Sequence, residues 1–143
     1  MLSNGRFEWL QLVAALALSL MLAGCTGLAG SKADSKQVLA ARAEARWAAL
    51  IDGDFGKAYG YESPAYRAAT PLRLFSSRFG SALRWDKAEV IEVLPDAEGE
   101  TAVVRVMISY TTMDPAGGVI EGQRPVDERW VRTGGEWWHT NLN

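Results

Sequence analysis

Apolar and polar positions divide the chain into three zones. The first is a mostly apolar run, Leu10 to Leu22, that follows Arg6 and Glu8. The second is punctuated at helical spacing. Leu39, Ala43, Trp47 and Leu50 fall on one face of a helix from about Lys36 to Ile51, while Lys36, Arg42, Glu44 and Arg46 lie mostly off that stripe. Asp34 or Ser35 can cap this helix, with Gln37 three residues after Asp34 at capping-box spacing. Gly53 ends it, and Asp54 can cap a short helix, Phe55 to Tyr59. Ser63-Pro64 opens a helical turn near Ala65 to Ala68. Thr70-Pro71 opens a longer one, Leu72 to Phe79, closed by Gly80.

After Gly80 the period changes from helical to alternating. Trp85 to Leu94 reads as a strand, and Pro95 to Glu100 as its turn. Thr101 to Met113 is the clearest strand: Ala102, Val104, Val106, Ile108 and Tyr110 form one face, with Arg105, Ser109 and Thr111 on the other. Asp114 to Gly118 turns the chain into a third strand, about Val119 to Arg132, with a break expected near Pro125 because proline cannot donate to a ladder. Thr133-Gly134-Gly135 is a tight hairpin, and Glu136 to Leu142 returns as the last strand, with Trp137 and Trp138 on opposite faces. Helices first and an antiparallel meander second predict an α+β fold, with N-terminal helices packed on one face of a curved antiparallel sheet.

The apolar run ends in Leu22-Ala23-Gly24-Cys25, and Cys25 is the only cysteine in the chain. A weakly positive start, an apolar core and small residues before a cysteine resemble the lipobox signal peptide of bacterial lipoproteins. The run is short of the ~20 apolar residues that a transmembrane helix needs. The resemblance implies a thioether from the Cys25 sulfur to diacylglycerol and cleavage between Gly24 and Cys25. The expected division is therefore a signal peptide at 1–24, a lipidated tether at 25–35 and a domain at 36–143. Each buried CH₂ contributes about 0.8 kcal/mol, so two or more acyl chains hold such a protein on the membrane. A lipidated Cys25 leaves no thiol for disulfide, redox or metal chemistry. The expected location is the bacterial cell envelope. Thr26, in a position where aspartate usually retains a lipoprotein in the inner membrane, favours the outer membrane facing the periplasm.

Composition narrows the function classes. Residues 25–143 keep the chain's formal charge of −2, since Arg6 and Glu8 are lost together. There is no basic patch, which argues against nucleic acid as a partner. Five of the six tryptophans follow residue 24, and such residues build cores or line clefts.

The stretch Ala45 to Phe55 with Ala58-Tyr59, then Ser63 to Arg67, and finally Glu128-Arg129-Trp130-Val131 with Gly135-Glu136-Trp137-Trp138, resembles the NTF2-like superfamily of cystatin-like or SnoaL-like α+β cones. The resemblance covers about residues 36–143. It implies a cone of helices on a curved sheet, and it implies little about activity. Such proteins usually carry a few more strands than the four read here.

Packing explains most of the prominent residues. Trp47 belongs to the helix stripe, Asp52 and Asp54 to the turn around Gly53, and Tyr59, Tyr61 and Tyr66 to the helical linker. Trp130 reads as a cross-strand partner. The candidate pocket residues are Trp47, Tyr59, Tyr61, Arg105, Glu128, Trp137 and His139; the facing of Arg105, Glu128 and Trp137 depends on register. His139 is the only histidine, and a lone histidine on a terminal strand reads as solvated. No helix carries a histidine, so the acid/base pair of the superfamily's isomerases and dehydratases is not visible. One histidine and a lipidated cysteine build no metal site, and no phosphate loop or nucleophile elbow is present. No cofactor is expected. The leading reading is a non-catalytic domain that binds an envelope protein or other envelope component. The alternatives are a module for a small apolar ligand in the cone, or a lyase or isomerase using the same pocket.

Overall fold

Helix α1, Lys32–Ile51, opens the described part of the molecule. The computed structural model describes residues 32–80 and 82–140; the leader, Cys25 and the tether as far as residue 31 lie outside it. The helix starts four residues ahead of the expected Lys36. Asp34 and Ser35 therefore lie within it and do not precede it. Lys32 and Ala33 are good helix formers, and no proline or glycine follows Gly30 to stop the helix before them.

Gly53 ends α1 with φ +74°, a conformation that L side chains rarely adopt. The Asp54 N–H donates to the Ala49 carbonyl at 2.9 Å, closing the last turn. The same Asp54 caps α2, Phe55–Tyr59, its carboxylate accepting from the Lys57 N–H at 3.0 Å. Ser63 caps α3, Pro64–Ala69, through Oγ and the Tyr66 N–H at 3.2 Å. Thr70-Pro71 departs from expectation. Pro71 is the N-cap of α4, Leu72–Ser76, without a side-chain cap, while Thr70 closes α3. Helix α4 is also three residues shorter than expected, giving way to a turn at Ser77 and Arg78.

The sheet is a four-stranded antiparallel meander in the order β1-β2-β3-β4. The strands are β1 Leu83–Pro95, β2 Thr101–Met113, β3 Val119–Thr133 and β4 Glu136–Thr140. Register shifts at Trp85/Lys87 and Val90/Glu92 mark two irregularities in β1. Each inserts a residue, so Trp85, Ala88, Val90 and Val93 pair with Tyr110, Ile108, Val106 and Val104 and all share the inner face. Such insertions bend and twist a strand, which curves the sheet around the helices. The break expected at Pro125 does not occur, and Pro125 pairs with Met107. Strand β4 pairs only with 129–133, so Pro125 stands where β3 has one neighbour and a missing donor on the open side costs no ladder bond. The β3–β4 hairpin turns on Gly134 and Gly135, with φ +62° and +83°.

The core lies between α1 and the inner face of the sheet. Leu39, Ala43, Trp47 and Leu50 meet Ala102, Val104, Val106 and Ile108, with Trp130 and Trp137 beside them. A chain of rings runs through it. Trp47 meets Trp85 edge-on at 5.2 Å, Trp85 meets Phe79 at 5.5 Å, and Phe79 meets Phe75 at 5.0 Å. Edge-on and offset contacts of this kind add to the gain from burial alone. Among the described residues, no helix is long and apolar enough to cross a membrane.

Candidate functional site

Four charged or titratable side chains meet inside this core. Arg46 projects from α1, Glu62 from the link between α2 and α3, Glu128 from β3 and His139 from β4. None is more than 5% exposed, and Glu62 is fully buried. Burying such groups is costly unless each is paired. Arg46 donates Nε and Nη2 to Glu62 Oε1 at 3.1 and 2.9 Å, and Nη1 to Glu128 Oε1 at 2.8 Å. Glu128 Oε2 accepts from Trp130 Nε1 at 3.2 Å. His139 Nδ1 faces Glu62 Oε2 at 2.8 Å.

The backbone makes this meeting possible. Glu62 and His139 form a parallel bridge, so the α2–α3 link lies along the outer edge of β4. The His139 N–H donates to the Tyr61 carbonyl at 2.8 Å, and the Ser63 N–H to the His139 carbonyl at 2.9 Å. His139 and Glu128 share the inner face of the sheet because His139 pairs with Trp130 and Glu128 lies two residues before Trp130.

Electrostatics follows from that geometry. Burial alone would push the Glu62 carboxyl up. The hydrogen bond and charge of His139, and then those of Arg46, outweigh burial and hold it below the usual 4.5. His139 Nε2 stands 3.8 Å from Glu128 Oε1, beyond hydrogen-bond reach.

An open cleft of about 440 Å³ lies against this cluster. Arg46, Glu128 and His139 form its polar wall; Trp47, Leu50, Phe79, Trp85 and Val126 form its apolar one. Glu62 holds His139 Nδ1, and among the described residues Nε2 keeps no hydrogen-bond partner. In a neutral ring that arrangement puts the proton on Nδ1 and the lone pair on Nε2, able to accept a hydrogen bond or a proton. No group of three His, Cys, Asp or Glu side chains able to hold a metal occurs among the described residues. Here the Arg46 guanidinium occupies the space between the two carboxylates.

Trp47, Glu128 and His139, three of the residues singled out from the sequence, are brought together on this cleft. His139 is buried and held by Glu62, not solvated as its place on a terminal strand implied. Arg105 stands on the other face of the sheet, bound to Asp127 at 2.8 Å and to Glu92 at 2.7 Å. Trp137 is buried in the core away from the cleft. The Tyr59 hydroxyl donates to the Arg67 and Thr70 carbonyls and ties α2 to α3. Tyr61 lies at the sheet edge beneath the Arg42 guanidinium, which also covers Trp138. Trp138 carries a second guanidinium, that of Arg67, at 5.3 Å.

Two cluster members were not legible as such. Arg46 reads as off the helix stripe, yet it lies three residues after Ala43 and four before Leu50, a spacing that puts it on the buried face. Glu62 sits in a link without periodicity, and nothing local marks it as buried.

The fold is α+β, with helices packed on a curved antiparallel sheet. It is similar to that of a ketosteroid isomerase-like protein from Erwinia carotovora atroseptica, with a TM-score of 0.56 and 17% identity over 74% of this chain and 91% of that one. A Mycobacterium tuberculosis protein of unknown function follows at a TM-score of 0.49 and 18% identity, over 78% and 73% of the two chains. Neither a protein-family model nor a curated protein matches the chain. The likeness to the first, at 17% identity, speaks for the α+β fold and carries no residue roles.

Proposed function

We propose that the chain is a membrane-anchored ligand-binding domain of the bacterial cell envelope, holding a small molecule in the cleft between α1 and the sheet. The observation that carries this is the cleft itself, whose aromatic wall ends on buried Glu128 and His139. Apolar walls with a few placed polar groups are the usual make-up of a small-molecule site. Docking of a protein partner has less support: the exposed Met113, Val119 and Ile120 at the β2–β3 turn are a small apolar surface. The anchor is read from the lipobox, with diacylglycerol on Cys25 and the domain facing the periplasm.

Native mass spectrometry of the protein purified from its own envelope tests the binding reading. A bound small molecule is expected. It should be lost from Val126→Trp, which fills the cleft from a half-buried position, while circular dichroism stays unchanged. A preparation without any bound species, or one that keeps it in that variant, opposes the reading.

The orientation of His139 favours a second reading, proton transfer to and from the ligand. With Nδ1 on Glu62, the imidazole presents Nε2 as a base, and Glu128 is near enough to stabilise the resulting cation. Deuterium exchange from solvent into a bound ligand, lost in His139→Gln, is its expected sign. Exchange that persists in that variant rules it out.

A further inference from the structure

We propose that the ligand of this cleft is an amphiphilic organic anion, with an elongated apolar body and a charge held by arginines at the rim. The inference rests on the ligand-binding reading above and specifies its chemistry. Arg78 and Arg124 line the cleft, and neither pairs with a carboxylate among the described residues. Among the described residues, the Arg78 side chain donates to the Tyr66 hydroxyl alone, at 3.0 Å. Glu128 on the same cleft is already engaged by Arg46, while Asp127 is held by Arg105 on the other face of the sheet. The rim is therefore cationic in a chain whose formal net charge is −2. Unmatched cations along a cleft with low-dielectric walls focus the field on an anion.

The shape supplies the apolar body. An adjoining cleft of about 550 Å³ shares Leu50, Arg78, Phe79 and Trp85 with the first. The two meet along an apolar wall, so a ligand longer than either can lie across Phe79 and Trp85 with its charged end toward the arginines.

Titration of the full-length protein in neutral detergent tests this, read by tryptophan fluorescence because Trp47 and Trp85 line the clefts. The probes are 1-naphthylacetate and decanoate, each set against its neutral amide. The acids are expected to bind about tenfold tighter than the amides, since each rim arginine contributes a modest, salt-screened attraction. The preference should shrink with added salt. Arg78→Gln combined with Arg124→Gln changes two exposed side chains and should abolish the preference without weakening amide binding. Equal affinity for acids and amides, or a preference unchanged in the double variant, overturns the charge assignment and leaves the cleft a neutral site. If none of the four probes alters the fluorescence, the ligand-binding reading falls with it.

Discussion

Glu62 and His139 are joined twice across 77 residues, by a backbone bridge and by a 2.8 Å contact between carboxylate and Nδ1. The bridge fixes where the α2–α3 link runs, and the side chains are locked to each other as a result. Arg46 completes the arrangement from the helix. The charged cluster is thus a structural joint between helix, link and sheet, as well as the polar wall of the cleft.

Removing the cation from that joint should be severe. Arg46→Met leaves two buried carboxylates without their shared partner, and a loss of about 3–5 kcal/mol is expected. Urea denaturation measures it. Arg105→Met, in the exposed ion-pair network on the opposite face, should shift the midpoint far less. Equal shifts would contradict the burial of Arg46.

Acid stability should depend on Glu62. Its carboxyl is held below 4.5 in the folded protein, so the unfolded chain binds its proton first as pH falls. The stabilisation is therefore fully present above pH 4.5 and is lost as pH drops through the lower folded value. Glu62→Gln should be less stable at neutral pH and should lose less on acidification below pH 4.5. Parallel stability curves for variant and wild type would remove Glu62 from the account.

Trp47 separates packing from hydrogen bonding. Trp47→Ala opens a large void beside Trp85 and should cost about 3–5 kcal/mol. Trp47→Phe keeps most of the ring contact and removes a buried donor that has no partner, so its cost should be much smaller. Thermal unfolding of the two variants checks the order.

The anchor has its own test. Cys25→Ser should abolish metabolic lipid labelling and leave an unprocessed precursor. Lipid that still attaches to this variant would refute the lipobox reading.

Gly122 faces Tyr110 across β2 and β3, and a Cβ there would come within 2.7 Å of the tyrosine ring. Gly122→Val should displace that ring and cost about 1–3 kcal/mol, the usual range for overpacking. Near-ultraviolet circular dichroism and thermal unfolding would register both effects. Unchanged spectra and midpoint would show that the ring is free to move.

Much of this architecture was legible before any coordinates, because it is set by neighbours in the chain. The Gly53-Asp54 step, the Ser63-Pro64 cap, the alternation from Thr101 to Met113 and the Gly134-Gly135 hairpin each act over a few residues, and each stands where the sequence placed it. The unbroken β3 at Pro125 was not legible, since a proline's cost depends on whether a strand lies on its other side. Nor was the cluster. A charged side chain is buried only when its partners arrive, and Arg46 finds them 16 and 82 residues away. Register decided the rest, sending Glu128 inward to the cleft and Arg105 outward to Asp127. The sequence by itself determined the elements and their order; tertiary structure alone decided which charges share a low-dielectric interior, because that choice rests on contacts between distant segments.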